Sequence, residues 1–289
     1  MSTRILTALV LIPVTIAALF LLPPRAWGAL TLLIVIIASN EWAMLSGYRK
    51  ASGLLLVAGT LLIGACILFA PWPGFDAGGG WPEALVVSIC GAATLFWLVI
   101  APAWLYFGWR IESKIVLTLV GWLALTATWV AVVQLQARSP ALLLALMAIV
   151  WVADSAAYFA GRRFGKRKLA PAISPGKTWE GVYGALIAVA VYALALLPFA
   201  EGAGYSAAIV PVSVIAWVAL ALALMSLSIV GDLFESQLKR NRGVKDILFV
   251  WSLRVFLCIG GWLGVVGDAV SEVDAQDGHG GRPVVTGAP

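Results

Sequence analysis

Between Trp151 and Gly181 the chain reads WVADSAAYFAGRRFGKRKLAPAISPGKTWEG, an apolar run carrying one acid that passes directly into a basic stretch. Asp154 lies inside Ala141 to Gly161, which otherwise reads as a membrane span. Hydrocarbon cannot solvate a carboxylate, so an ionisable group at that depth is usually functional, the plainer reading being an acid that snorkels to the interface or pairs with a cation of the bundle. Ser155 and Tyr158 follow at i+1 and i+4, which brings two hydroxyls to the same helical side. The six cations beyond, Arg162, Arg163, Lys166, Arg167, Lys168 and Lys177, suit a polyphosphate or an anionic lipid headgroup.

Reading outward, the composition excludes a water-soluble globule. Of 289 residues, 62% are hydrophobic and only 11% charged, against about a quarter charged in soluble domains; the mean hydropathy is +0.99. The apolar runs are Ile5 to Leu22, Trp27 to Ser46, Leu54 to Pro71, Ala84 to Phe107, Ile115 to Leu135, Ala141 to Gly161, Val182 to Phe199 and Ile209 to Val230. Each is near the ~20 residues a helix needs to cross a bilayer. Lipid offers no partner to open backbone groups, so all eight spans are expected to be helical. A ninth segment, Ile247 to Gly267, is long enough but contains Arg254. The expected architecture is an all-α polytopic transmembrane bundle. It forms a single membrane domain over 1–246, followed by an atypical apolar segment at 247–267. A Gly-, Asp- and Val-rich tail at 268–289 is expected to be disordered.

The formal charge is +5, and its distribution sets an orientation. With the N-terminus inside, fifteen cations fall on the cytoplasmic side, against Arg25 and Arg138 outside. The positive-inside rule therefore places both polar clusters in the cytoplasm. Cys66, Cys90 and Cys258 lie in apolar segments without metal-ligand spacing, which reads as small core residues with no disulfide. The fourteen Trp suit interfacial belts and bundle packing. His279, the single histidine, sits in the tail and is a poor candidate for a lone base.

The second polar cluster is GDLFESQLKRNRGVKD, Gly231 to Asp246. If its helix continues past Val230, then Asp232, Glu235, Ser236 and Lys239 share one face at i, i+3, i+4 and i+7. Two carboxylates and a hydroxyl there suit Mg²⁺, which takes oxygen ligands and bridges a few carboxylates to substrate phosphates. Lys239, Arg240 and Lys245 would offset the remaining phosphate charge. The plainer reading is a solvated helix end with a Glu235–Lys239 pair. In the first cluster, Ser174-Pro175-Gly176-Lys177-Thr178 reads as a Pro-Gly turn presenting Ser174, Lys177 and Thr178. It lacks the G-x-x-x-x-G-K-[ST] pattern of a phosphate loop. Glu41, beside Asn40 near the cytoplasmic end of the second span, could reach the same cavity or simply snorkel to the interface.

Taken together, the 151–181 stretch and GDLFESQLKRNRGVKD resemble the phosphatidate cytidylyltransferases, or CDP-diacylglycerol synthases. The resemblance covers Arg4 to Asp246 and is dense from Trp151 onward. It implies transfer of a cytidylyl group from CTP to phosphatidic acid, with Mg²⁺ as cofactor, in phospholipid biosynthesis at the inner membrane. It implies Asp232 as a metal ligand with Glu235 and Ser236 near it. Lys239, Arg240, Lys245 and Asp246 would hold phosphates or order the site, while Ser174, Lys177 and Thr178 contact nucleotide or lipid phosphate, with Asp154 in the same site. The expected partners are CTP, phosphatidic acid and membrane lipids, without nucleic acid and with a homodimer left open. After Lys245-Asp246 the family continues through P-G-H-G-G to an acid in D-R-x-D. Here ILFVWSLRVFLCIGGWLGVVG follows, and Gly278-His279-Gly280-Gly281 comes some thirty residues late, before Arg282-Pro283. A shift of reading frame after Asp246 would produce this, and the expectation is lowered activity from a metal site short of one carboxylate. The rival readings are a related lipid cytidylyl or phosphoryl transferase and a non-catalytic lipid- or nucleotide-binding membrane protein. A transporter fits less well, because the polar groups gather at one face instead of the midplane.

Overall fold

The computed structural model describes residues 13–75, 79–202 and 210–243. Seven of its helices are long and apolar enough to cross a membrane. They are α1 (Pro24–Leu45), α2 (Lys50–Phe69), α3 (Glu83–Leu95) continuing through a π-helical turn into α4 (Ala101–Phe107), α5 (Lys114–Arg138), α6 (Pro140–Phe164), α7 (Trp179–Gly202) and α8 (Val210–Arg242). All seven coincide with runs read from the sequence, so the protein is an all-α multi-pass bundle. Of the first expected span, residues 13–21 are helical. The segment 247–267 and the tail 268–289 lie outside the described residues.

Local chemistry sets the boundaries. Helix α1 starts on Pro24, where the missing N–H costs nothing. Ser113 and Ser139 cap α5 and α6, accepting from the N–H groups of Val116 and Leu142. The π turn, Phe96–Ile100, stands immediately ahead of Pro102. Proline has no N–H and crowds the carbonyl four residues back, so the helix widens there instead of closing α-helical bonds. Helix α4 ends on Gly108 in the left-handed region, φ 63°, a conformation glycine adopts freely.

Helix α5 is the bundle's axis, with buried side chains from Leu117 to Gln136. Tryptophan indoles from neighbouring helices and from the connection ahead of α3 reach its carbonyls. Trp42 Nε1 donates to Leu117 O (2.7 Å), Trp81 Nε1 to Val130 O (3.2 Å) and Trp27 Nε1 to Val132 O (3.4 Å), while Trp129 of α5 donates back to Gly28 O (2.9 Å). A buried indole N–H needs an acceptor, and a helical carbonyl keeps a second lone pair for it. Several of the fourteen tryptophans thus act as pins between helices, where the sequence suggested belts and packing. Elsewhere Trp217 Nε1 of α8 donates to Ala193 O of α7 (2.9 Å), and Tyr192 of α7 to Ala145 O of α6 (3.1 Å).

The cation-bearing connections meet at one end of the bundle. Arg242, closing α8, donates to Leu45 O (3.0 Å) and Ser46 O (3.3 Å) at the end of α1. Beside them Tyr48 Oη and Thr118 Oγ1 are 2.9 Å apart, and the Lys114 ammonium stands over the Tyr48 ring at 5.5 Å. Arg25 lies elsewhere, over the Phe75 ring at 5.6 Å.

Candidate active site

The basic stretch between α6 and α7 is a two-stranded antiparallel hairpin, β1 (Lys168–Ala170) and β2 (Ser174–Thr178), paired Lys168 to Thr178 and Ala170 to Ser174. This corrects the sequence reading. Pro175-Gly176 is not the turn but lies within β2, which as one of only two strands tolerates a residue without a ladder N–H. The turn comes earlier, where Ile173 N donates to Ala170 O (3.1 Å). Thr178 then caps α7, its Oγ1 accepting from Gly181 N at 3.2 Å. The Glu180 carboxylate accepts from Arg167 N through both oxygens at 3.2 Å, and Trp179 N donates to Arg167 O (3.0 Å). The hairpin base is therefore tied to the first turn of α7.

Helices α6 and α7 approach closely because small residues face each other. A Cβ on Gly184 would meet the Cβ of Ala160 at 2.4 Å, and one on Gly181 would meet Ala157 O at 2.9 Å. This small-residue seam is a common device between helices in lipid. It was present in the sequence as Ala156, Ala157, Ala160 and Gly161 against Gly181 and Gly184, and sequence reasoning passed over it.

Between α6, the hairpin, α7 and α8 lies a cavity of about 690 Å³, and it gathers Asp154, Ser155, Tyr158, Arg162, Lys177, Thr178 and Asp232. Lys177 of β2 forms an ion pair with Asp232 of α8. Arg162 donates to Tyr158 Oη at 3.0 Å. Asp154 and Asp232 each stand ten residues before the end of their helices, Phe164 and Arg242, which is about 15 Å at 1.5 Å per residue. The rest of the wall is mostly apolar, with Phe159, Val182, Ala185, Met225 and Ile229.

Helix α8 does continue unbroken to Arg242, so Asp232, Glu235, Ser236 and Lys239 share one face as expected. Their surroundings differ. Glu235 is buried and takes the Lys239 ammonium at 2.5 Å, and neither it nor Ser236 lines the cavity. Glu41 and Lys177 lie within electrostatic range of Glu235, and Glu41, unlike Lys177, is not among the residues lining the cavity. Ser174 is half-buried on β2 outside the cavity lining. Arg240 lines a second cavity, with Arg110 and Arg242. Lys245 and Asp246 lie outside the described residues.

Behind Asp232, Phe234 is fully buried in an aromatic cluster. Its ring meets those of Phe96, Trp97 and Trp104 edge-on at 5.7, 5.6 and 5.2 Å. The widened turn of α3–α4 thereby sets the position of the α8 segment that carries Asp232.

An acid–lysine pair and a second acid line a largely apolar membrane cavity that also takes in the first turn of α7, and this defines a membrane-embedded protein built to handle phosphate groups in lipid. Its kinship narrows this. The Cytidylyltransferase family model matches residues 2–249, and the chain belongs to that family. It is 34% identical over 263 residues to the phosphatidate cytidylyltransferase of Pseudomonas aeruginosa, covering 85% of this chain and 86% of that one. It is 31% identical over 262 residues to that of Haemophilus influenzae (85% and 88%) and 47% identical over 102 residues to that of Brucella suis (35% and 34%). The family match ends three residues past Asp246, where the sequence leaves the expected signature.

Proposed function

We propose that this chain transfers the cytidylyl group of CTP to phosphatidic acid, releasing pyrophosphate and forming CDP-diacylglycerol. The observation that carries the reading is the cavity in which Asp154 and the Lys177–Asp232 pair face a mostly apolar wall. Such a lining takes a diacyl lipid by its chains and its phosphate by its charges. In the reaction a phosphate oxygen of the lipid attacks the α-phosphorus of CTP, and the bond from that phosphorus to the bridging oxygen of the β-phosphate breaks. Two polyanions must be brought together, so the protein's task is positioning and neutralisation. Lys177 and Arg162 supply positive charge, and the amino end of α7 adds its partial charge. The hydroxyls of Ser155 and Tyr158 are placed to orient a phosphate or glycerol oxygen.

Among the described residues no three acidic, His or Cys side chains converge on one point. That suits Mg²⁺, which keeps one or two carboxylates and completes its shell with water and substrate phosphates. Asp232 and Asp154 are the carboxylates that would hold it, and it would supply positive charge against the substrate phosphates. Lys239 and Glu235 pair with each other on the next turn of the same helix. The gathering of cationic connections at one end supports an inner-membrane protein with its N-terminus and active site facing the cytoplasm.

The test is CDP-diacylglycerol formation from labelled CTP and phosphatidic acid by the purified chain in detergent, with and without Mg²⁺, beside Asp232→Ala. Metal-dependent product that disappears in the variant is the expected result. A second reading, a binding protein that has lost the transfer step, is favoured by the departure after Asp246; it predicts CTP or lipid binding with no product.

A further inference from the structure

On the far side of α8 from Asp232, a cavity of about 550 Å³ lies between the end of α4, the linker into α5, the hairpin tip at Ala172-Ile173 and the last turns of α8. Its polar lining is Arg110, Glu112, Gln237, Arg240, Asn241 and Arg242. At about 100° per residue, Gln237 and Asn241 point roughly 140° and 180° away from Asp232 around the helix. The cavity is therefore not an extension of the first. We infer that it binds a phosphate ester carrying a neighbouring hydroxyl, at a site separate from the Asp154–Asp232 cavity.

Two observations carry this independently. The first is charge: three guanidinium groups against the single carboxylate of Glu112 leave the described lining net positive. Arg242 is already fixed by its bonds to Leu45 O and Ser46 O, so part of that charge is preorganised. Arg110 and Arg240 are exposed and offer the planar fork that matches phosphate oxygens in pairs. The second is Gln237, which is only 8% exposed and whose Oε1 has no hydrogen-bond partner among the described residues. A buried amide oxygen left unpaired is costly, and the fully ionised phosphate of an ester, having no O–H of its own, does not satisfy it. A phosphate ester with a hydroxyl does, because its phosphate takes the arginines and its O–H donates to Gln237. Such a group occurs as the headgroup of a glycerol phospholipid and as a free sugar or glycerol phosphate.

Native mass spectrometry of the full-length chain released from neutral detergent tests the site, with sn-glycerol 3-phosphate as the soluble probe and phosphatidylglycerol in mixed micelles as the lipid probe. Lys177→Ala is introduced throughout to disable the first cavity. The expected result is one bound ligand that Arg110→Gln weakens at least ~tenfold and Arg110→Lys partly restores. Binding of phosphatidylglycerol alone assigns the site to a lipid headgroup, and binding of both probes assigns it to phosphate esters generally; either supports the inference. Should Arg110→Gln fail to fold, Gln237→Leu makes the same comparison by removing the buried amide. Neither probe binding, or binding indifferent to these substitutions, overturns it.

Discussion

Replacing Gly184 with alanine should force α6 and α7 apart and degrade the reaction more than the fold. The added Cβ would sit 2.4 Å from the Cβ of Ala160, whereas ordinary contacts begin at 3.4 Å, so the helices must separate by about 1.0 Å. No flexible side-chain end can absorb the clash, because both partners are β-carbons fixed to backbone. Overpacking of this kind costs about 1–3 kcal/mol, visible as a lower unfolding temperature in detergent. The displacement falls where α6 carries Asp154, Ser155 and Tyr158 and where α7 anchors Lys177 through Thr178. A misplacement of about 1 Å can cost roughly 100-fold in rate, and that is the expected order of the loss in CDP-diacylglycerol formation. Adding Ala160→Gly removes the opposing methyl and should restore most of the rate. A Gly184→Ala chain with unchanged melting and unchanged rate would refute the claim that this seam sets the cavity.

Other substitutions probe the remaining parts. Lys177→Gln removes the cation that faces Asp232; initial rates should fall about 100-fold or more, with partial recovery in Lys177→Arg, and equal rates in Gln and wild type would contradict the assignment. Phe234→Ala empties the centre of the aromatic cluster and should destabilise by about 3–5 kcal/mol, read by thermal unfolding in detergent. Trp42→Phe loses the indole bond to Leu117 O, a change of about 0.5–1.5 kcal/mol, measured the same way. Chelation with EDTA should stop product formation and added Mg²⁺ should restore it; activity that persists in EDTA argues against an oxygen-ligated divalent ion.

Most of the bundle was legible because span length and apolarity are long-range averages that a few residues cannot disguise. The run Trp27 to Ser46 became Pro24–Leu45 and Ile115 to Leu135 became Lys114–Arg138, with differences only at the capped ends. The shared face of Asp232, Glu235, Ser236 and Lys239 followed from helical spacing alone. The hairpin did not follow, because strands of three and five residues carry too few positions to show a period of two, and Pro175-Gly176 gave a competing turn signal. Nor did the pairing of Lys177 with Asp232, since fifty-five residues separate them and only the tertiary fold joins them. Arg240 looked equivalent to Lys239 in sequence, yet one step around the helix sends it to a different cavity. Thr178 was read as a substrate contact, whereas its hydroxyl first serves the cap of α7.

The bonds from Arg242 to Leu45 O and Ser46 O join groups 197 and 196 residues apart. At ~5–20 residues per second of synthesis, the carbonyls that end α1 wait roughly 10–40 s before their partner exists. During biogenesis the end of α1 thus stays unfastened until α8 arrives. Closure of α1 by α8 is in this sense a checkpoint on synthesis, and chains arrested before Arg242 lack this clasp between two helices made far apart in time.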